Sequence, residues 1–242
     1  MGGIDGHVLW VVGGGSGMGR AVALAAGATG RTVVVSGRRA DRLREVATGV
    51  EEAGGAALVL PGDATDTAWA SSAAATIVDR FGRLDEVVLA AGLNAPRRRW
   101  DDQSIADAAA IVDVNLLGVL RTADAALPAL RQRGGTVVVV SSYSAWAFNP
   151  TAGVAYSAAK AALAQVCRTL NVQEGEHGVR ATHLCPGDVD TEFLARRPEV
   201  PDAAARAVML TPDDVARSVL HVLDAPPHVR IDELVISPLS QR

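Results

Sequence analysis

Short β-branched runs alternate with Ala-rich stretches of helical length along almost the whole chain. Neighbouring parallel strands need a crossover connection, usually a helix, so this order is typical of a parallel sheet with helices on both faces. Seven runs are predicted as strands: His7 to Val12, Thr32 to Ser36, Ala56 to Leu60, Glu86 to Ala90, Gly135 to Ser141, Val179 to Leu184 and Glu233 to Ile236. The pattern predicts an α/β fold with one doubly wound, seven-stranded parallel sheet flanked by helices.

The chain is predicted to form one domain over residues 1–242. It has no internal repeat, low-complexity linker or long Gly/Ser/Pro spacer where a second domain would begin. Charges and prolines, including Arg196, Arg197, Pro198 and Pro201, interrupt the pattern in residues 191–212. This segment lies beyond a strand's carboxyl end, where α/β folds place ligands, so we expect it to cover a substrate.

Charge and hydropathy exclude several classes of function. The net charge of -4, mixed in sign, gives no basic field for nucleic acid. The apolar runs, such as Val137 to Val140, are far shorter than the roughly 20 residues of a membrane span. The first residues lack a secretory leader pattern, so a cytoplasmic location is expected. Cys167 and Cys185 lack metal-site or redox spacing and are predicted to be inert core thiols, with no metal site.

A glycine-rich turn, Val12-Gly13-Gly14-Gly15-Ser16-Gly17-Met18-Gly19-Arg20, lies between the first predicted strand and a helical run. Glycines let the backbone approach a pyrophosphate closely, and the helix amino terminus offers N–H groups and positive dipole. A turn that merely connects two elements is the alternative. The position favours a Rossmann dinucleotide site whose contacts are Gly13, Gly15, Ser16, Gly17, Met18 and Gly19.

The end of the second predicted strand bears on cofactor choice. NAD sites usually have an acid here for the ribose 2′-hydroxyl, but this chain has Ser36-Gly37-Arg38-Arg39. Two guanidinium groups and the Ser36 hydroxyl suit a 2′-phosphate. We therefore predict NADP(H) rather than NAD(H), with a solvated arginine loop as the alternative.

Tyr156 and Lys160 lie four residues apart at the start of an Ala-rich helical run, so their side chains share one face. A tyrosine titrates near ~10 and is a poor acid or base at neutral pH unless a positive charge stabilises its phenolate. Lys160 can supply that charge. Alone, the pair is also compatible with ordinary surface residues.

Together these motifs resemble the short-chain dehydrogenase/reductase family over essentially the whole chain. The glycine spacing, the Tyr-x-x-x-Lys pair, Asn115, the Val137 to Ser142 strand and the Pro186 to Thr191 segment carry the resemblance. It implies further cofactor contacts at Asp63, Ala64, Ala91, Gly92, Tyr156, Lys160, Pro186, Gly187, Val189 and Thr191. It also implies a homodimer or homotetramer, formed through helices that would include Asp102 to Arg131 and Val154 to Gly175.

The resemblance implies a catalytic set. Tyr156 would exchange a proton with a substrate oxygen, Lys160 would lower its pKa and bind the nicotinamide ribose, and Ser142 would polarise the carbonyl. Asn115 would hold a water near Lys160. Ser142 precedes Tyr156 by 14 residues, one more than expected, so Ser144 is the alternative serine.

Two positions depart from the family pattern. Val12 replaces a usual threonine, and Leu89-Ala90-Ala91-Gly92 replaces Asn-Asn-Ala-Gly. The lost polar side chains would normally tie the turn to the fourth strand, so we expect lower local rigidity.

The predicted function is NADP-dependent interconversion of an alcohol and a carbonyl on a small substrate. The alternatives are a catalytically silent NADP sensor and an epimerase or dehydratase of the same family. Predicted substrate contacts are Asn94, Ser142, Tyr143, Trp146, Tyr156 and Asp188, with Phe148 as a further wall residue. The run Arg97-Arg98-Arg99-Trp100 either binds a substrate anion or is a solvated face. The tail from Ala225 to Ile236 resembles NADP-dependent serine and 3-hydroxy acid dehydrogenases, which gives a substrate lead only.

Overall fold

The computed structural model describes residues 6–241. The first residues, on which the expected absence of a leader rests, and Arg242 lie outside the described part. No helix within the described residues is long and apolar enough to cross a membrane.

Seven parallel strands form one sheet in the order β3-β2-β1-β4-β5-β6-β7. Their bounds are β1 Val8–Val12, β2 Thr32–Gly37, β3 Ala56–Pro61, β4 Glu86–Leu89, β5 Gly135–Val140, β6 Val179–Pro186 and β7 Glu233–Ile236. The predicted fold class is confirmed, and each predicted strand differs from the observed one by at most two residues at an end. All six strand pairings are parallel.

Helices occupy the crossovers. Their bounds are α1 Gly17–Gly27, α2 Ala40–Glu52, α3 Thr67–Phe81, α4 Ile105–Val112, α5 Gly118–Leu130, α6 Tyr143–Trp146, α7 Val154–Gln173, α8 Ala203–Arg206 and α9 Pro212–Leu223. A π-helical turn, Asp113–Leu117, joins α4 to α5, so the helix predicted over Asp102 to Arg131 is interrupted and begins at Ile105. Ser104 caps this start by accepting a hydrogen bond from the Asp107 N–H.

The core has two apolar layers, one on each sheet face. Successive side chains of a strand point to opposite faces of the sheet. Every residue of β1 is buried, so helices cover the sheet on both faces at this strand. Trp10 points toward the layer that includes α3, α5 and α7, whereas Leu9 and Val11 point toward the layer of α1, α2 and α9. Burial of both faces explains why the strands read as continuous Val/Leu runs.

The strand order reverses at β1, which pairs with β2 on one side and with β4 on the other. Crossovers from β1 and β4 therefore leave in opposite directions, and a crevice opens at the carboxyl ends of these strands. The glycine turn follows β1 at this crevice. The fold thus brings the chemistry-bearing motifs to one edge of the sheet.

Residues 191–212 contain a 3₁₀ turn, Glu192–Arg196, and the short helix α8. The base of this segment is closed by backbone hydrogen bonds, because the Asp190 N–H donates to Leu210 and the Leu210 N–H donates to Asp188. The segment is therefore an anchored flap beyond β6.

Candidate active site

A main cavity of about 1160 Å³ lies at the carboxyl edge of the sheet. Its walls come from the glycine turn, the ends of β2, β4, β5 and β6, the start of α7, and the flap. Nearly all the predicted cofactor contacts line it: Gly13, Gly15, Ser16, Gly17, Met18, Gly19, Arg38, Arg39, Asp63, Ala64, Ala91, Gly92, Tyr156, Lys160, Pro186, Gly187, Val189 and Thr191. Residues from distant parts of the sequence therefore meet in one cavity.

The glycine turn requires its glycines for specific reasons. Gly13 has φ +86°, and a Cβ built there would lie 2.5 Å from the Ala91 nitrogen. A Cβ on Gly19 would lie 2.3 Å from the Gly13 oxygen. Ser16 makes no side-chain hydrogen bond to the start of α1. The positive amino terminus of α1 therefore faces the cavity without a side-chain cap, which fits a pyrophosphate.

The two departures from the family pattern are compensated by backbone contacts. The Ala90 N–H donates to the Val12 oxygen over 2.8 Å, and Gly13 packs directly against Ala90 and Ala91. The Gly13 and Gly14 N–H groups also donate to the Ser36 oxygen, over 2.8 and 3.0 Å. The turn is therefore tied to β4 and β2 without the expected polar side chains.

Ser36 does not face the 2′-phosphate position, so that part of the prediction is wrong. Its side chain is fully buried, and its hydroxyl accepts a hydrogen bond from the Trp10 indole over 2.9 Å. Arg38 and Arg39 do line the cavity, and Arg39 lies 3.7 Å from Glu192 of the flap. The prediction of NADP(H) therefore rests on the two arginines and not on Ser36.

Asp63 and Ala64 line the adenine end of the predicted cofactor site. One carboxylate oxygen of Asp63 accepts hydrogen bonds from the Thr65 N–H, over 3.0 Å, and from the Thr65 hydroxyl, over 2.9 Å. This turn holds the Asp63 side chain in place at the cavity wall.

Ser142, Tyr156 and Lys160 meet on the cavity wall where β5 ends and α7 begins. The Lys160 Nζ lies 5.9 Å from the centre of the Tyr156 ring and donates to the Val140 oxygen over 2.9 Å. Ser142 acts on the Tyr156 phenol to lower its pKa and also caps α6, accepting from the Ser144 N–H over 3.2 Å. Ser142 and Ser144 both line the cavity, and the choice of Ser142 as the catalytic serine stays a prediction.

The environment of this trio shifts its proton affinities. Burial raises the pKa of Tyr156, and the hydrogen bond from Ser142 and the charges of Arg98 and Arg197 act in the opposite direction. Burial lowers the pKa of Lys160 to about 8. The charges that favour the ionised phenol here are those of Arg98 and Arg197. That Lys160 also lowers the pKa of Tyr156 stays a prediction.

The side chain of Asn115 is bonded within the protein, and its holding of a water near Lys160 stays a prediction. It lies fully buried in the π-helical turn, where its amide nitrogen donates to Leu93 and Ile111 over 2.7 and 2.8 Å. Its amide oxygen accepts from the Leu93 N–H over 3.3 Å. These bonds occupy the amide and fix the loop after β4 to the helix.

Most of the predicted substrate contacts line the main cavity, but not all of them have a side chain free to meet a substrate. Ser142, Tyr143, Tyr156 and Asp188 line the main cavity. Asn94 also lines it, but its buried amide is bonded to the Ala152 oxygen and the Ala95 N–H, so it shapes the wall.

The two aromatic predictions beyond Tyr143 are corrected. Trp146 stacks on Tyr143 at 5.3 Å, is half exposed, and lies outside the lining of the main cavity. Phe148 is 91% exposed and lines a side pocket of about 330 Å³ rather than the main cavity. Both side chains project toward solvent, Trp146 from the end of α6 and Phe148 from the loop that follows.

The arginine run also separates into different roles. Arg97 is exposed and lies outside the main cavity, whereas Arg99 lines it and pairs with Asp101 at 3.2 Å. Arg98 is 8% exposed and donates to the backbone oxygens of Ala95, Thr151 and Arg196. Only part of this run is a solvated face.

Sequence reasoning missed three residues of the site. Phe193 lies 6.3 Å from Tyr156, ring centre to ring centre. Arg197 pairs with Asp188, and the Gln241 side chain accepts from the Asp188 N–H over 2.8 Å. The first two lie in the flap, so its predicted covering role was the available signal. No sequence pattern indicated Gln241, because the residues around it do not show that the tail folds back onto Asp188.

The two cysteines are buried, and burial raises the pKa of each thiol to about 12, as expected for inert thiols. The structure does bring Cys185 together with His183 and Glu233, whose polar atoms lie within 4.8 Å of one another. His183 hydrogen-bonds Glu233 over 3.0 Å. This cluster is a cross-strand polar contact that the sequence spacing did not indicate.

Comparison with known proteins decides the family. Residues 7–201 match the family model described as short chain dehydrogenase. The chain is a short-chain dehydrogenase/reductase. It is therefore an NAD(P)-dependent enzyme that acts on a small molecule, which confirms the enzyme class predicted from the motifs.

Relatives and solved structures agree with this membership. An uncharacterised oxidoreductase of Staphylococcus aureus is 33% identical over 95% of this chain and 96% of its own. An alcohol dehydrogenase from the archaeon Thermococcus sibiricus, complexed with 5-hydroxy-NADP, is 30% identical with a TM-score of 0.88, covering 98% of both chains. The closed form of a serine dehydrogenase complexed with NADP⁺ is 27% identical with a TM-score of 0.88, covering 97% of this chain and 96% of the other.

Proposed function

We propose that this dehydrogenase/reductase interconverts an alcohol and a carbonyl on a small substrate, with NADP(H) as cofactor and Tyr156 as the proton donor and acceptor. The observation that carries the proposal is the meeting of Ser142, Tyr156 and Lys160 in the cavity that also holds the glycine turn. A phenol, a hydroxyl and a cation beside a dinucleotide site suit proton transfer coupled to hydride transfer.

Each side chain has a role that follows from its surroundings. NADP(H), when bound, supplies or accepts the hydride. The raised pKa keeps Tyr156 protonated at neutral pH, so it can give its proton to the oxygen of a carbonyl being reduced. Ser142, which acts to lower the pKa of the phenol, can donate to the same oxygen as negative charge develops there.

Lys160 is positioned to hold a hydroxyl-rich group beside Tyr156. Its ammonium donates one hydrogen bond to Val140, which leaves two of its three N–H donors for the nicotinamide ribose. With a pKa of about 8, Lys160 is mainly charged at pH 7. A positive group at this point can also ease the loss of the Tyr156 proton during alcohol oxidation.

The cofactor preference rests on Arg38 and Arg39. Both line the cavity after β2, where the sequence has no acid for a ribose 2′-hydroxyl. Two solved relatives of the same fold are described as complexes with NADP forms. These observations support NADP(H) over NAD(H).

Apolar side chains on the outer faces of two helices support self-association. Ile105 on α4 and Leu120 on α5 are exposed, as is Leu117 in the turn between them. We propose that these helices contribute to a homodimer or homotetramer. A cytoplasmic location and a single domain over 1–242 remain predictions.

The cofactor proposal is tested by fluorescence titration with NADPH and NADH. Removing both guanidinium groups in an Arg38→Ala/Arg39→Ala variant should weaken NADPH binding by roughly 10- to 100-fold, because charge-assisted hydrogen bonds to the phosphate are lost. NADH binding should change little. Arg42→Ala, which removes an exposed arginine paired with Glu45, is the control. Equal affinity of the wild type for NADH and NADPH would contradict the proposal.

A further inference from the structure

Arg98 is a nearly buried guanidinium without an acidic partner among residues 6–241. Its hydrogen bonds go to three backbone oxygens, those of Ala95, Thr151 and Arg196. A guanidinium has five N–H donors, so two remain for another acceptor. A buried charge is costly unless an opposite charge neutralises it, and this one lies on the wall of the main cavity.

A second guanidinium, that of Arg197, lines the same cavity from the flap. It pairs with Asp188, whose backbone N–H is held by Gln241. Two guanidinium groups and one carboxylate leave a charge of one positive unit. Arg196 and Glu199, which flank Arg197 in the flap and also line the cavity, add one charge of each sign. These neighbours together leave one positive charge, which fits a monoanion better than a phosphate dianion.

The two arginines lie beside the proton donor. The charges of Arg98 and Arg197 both act on the Tyr156 phenol and favour its ionised form. The positive charge of Arg197 also lowers the pKa of Arg98, so the two guanidinium groups are close enough to repel one another. An anion between them would relieve that repulsion. Arg98, Arg197 and Tyr156 all line this cavity, so such an anion would share it with the reacting carbon.

We propose that Arg98 and Arg197 form a subsite for a substrate carboxylate, so that the substrate is a hydroxy acid and its product the corresponding oxo acid. Arg98 is the fixed half of the subsite, held by three loop carbonyls. Arg197 is the adjustable half, because it can share its donors between Asp188 and the substrate. This inference rests on the proposed redox function and names its substrate class.

The test compares acids with neutral amides of nearly the same shape. Pyruvate with pyruvamide, and acetoacetate with acetoacetamide, are assayed with NADPH in wild type, Arg197→Gln and Arg97→Gln. In wild type, kcat/KM for an acid should exceed that for its amide by at least tenfold. Arg197→Gln should lower the value for the acid by roughly 10- to 100-fold and leave the amide within about threefold. Arg97→Gln, an exposed arginine outside the cavity, should change neither.

A variant with the opposite expected sign sharpens the test. Asp188→Asn removes the carboxylate that competes for Arg197, so the preference for acid over amide should increase. Equal loss on acid and amide in Arg197→Gln, or a wild type that prefers the amide, would overturn the subsite.

A binding assay separates failure of the subsite from failure of the proposed redox function. Calorimetry with butyrate and butyramide on protein saturated with NADPH needs no turnover. Butyrate should bind at least tenfold more tightly, and Arg197→Gln should abolish the difference. This result without reduction of any carbonyl would retain the subsite and refute the redox function. Turnover with no preference for the acid in either assay would retain the redox function and refute the subsite.

Discussion

Tyr156 is protonated in this site because burial outweighs the charges around it. The hydrogen bond from Ser142 and the guanidinium groups of Arg98 and Arg197 act against that effect, so small changes in the pocket should shift the balance. The shared orientation of Tyr156 and Lys160 could be predicted from the sequence, because two helical residues spaced four apart lie on the same face. The effect of Arg98 and Arg197 on the pKa of Tyr156 could not be predicted, because the two arginines lie in segments whose paths no local sequence pattern indicates.

Side-chain direction explains the residues that sequence reasoning placed wrongly. Ser36 lies near the end of β2, where adjacent side chains alternate between a buried and an accessible direction, and its hydroxyl points to Trp10. Trp146 ends a helix of four residues, too short for any periodicity to indicate its phase. The predicted residues of the glycine turn line the cavity, whereas Ser36 and Trp146 do not.

Lys160 gives a pH-dependent prediction for stability. Its pKa falls from an ordinary value of 10.5 to about 8 on folding. Between these pH values the unfolded lysine binds a proton that the folded one lacks, so the free energy of unfolding rises with pH. Below pH 8 both forms are protonated, and the folded state carries the full cost of the buried charge.

Urea unfolding with Lys160→Met as the reference tests this. The free energy of unfolding of the wild type, relative to that of the variant, should rise by about 3 kcal/mol between pH 8 and 10.5. Titrations elsewhere in the protein cancel in the comparison. A difference that stays constant with pH would show that Lys160 is not desolvated in the folded state.

At the scale of elements, the glycine turn packs so closely against the residues after β4 that no side chain fits beside it. Gly13 has a left-handed φ of +86° and approaches the Ala91 nitrogen too closely for a Cβ. The sequence predicted the turn from its glycine spacing, but not that backbone contacts replace the lost polar side chains.

Gly13→Ala should therefore weaken NADPH binding by more than tenfold and lower the free energy of unfolding by about 1–3 kcal/mol. Gly175→Ala is the matched control, since that glycine has no left-handed φ and open space around its Cβ position. Fluorescence titration and urea unfolding give both readouts. Similar effects of the two substitutions would show that the turn tolerates a side chain.

Across the whole molecule, Arg31 joins parts of the fold that are distant in sequence. Its fully buried guanidinium contacts Glu86 at 2.7 Å, in β4, and Asp224 at 2.7 Å, after α9. The order of strands and helices could be read from their apolar patterns. This contact could not, because its partners lie 55 and 193 residues away.

Arg31→Met should lower the free energy of unfolding by about 3–5 kcal/mol, because buried Glu86 loses its guanidinium partner and keeps only a contact with His7 at 3.5 Å. Arg230→Met removes an exposed pair with Asp232 and should cost less than about 1 kcal/mol. Urea unfolding at pH 7 measures both. A cost for Arg31→Met as small as that of the control would mean that the buried network is not needed for stability.

The whole assembled site should couple NADPH oxidation to carbonyl reduction through one phenol. The most direct measurement is NADPH oxidation by wild type and Tyr156→Phe with a panel of oxo acids, amides and simple ketones, alongside NADPH binding. Tyr156→Phe should lower turnover by about 10²- to 10⁴-fold while its NADPH affinity stays within about threefold. Turnover retained by Tyr156→Phe at the wild-type rate would contradict the account.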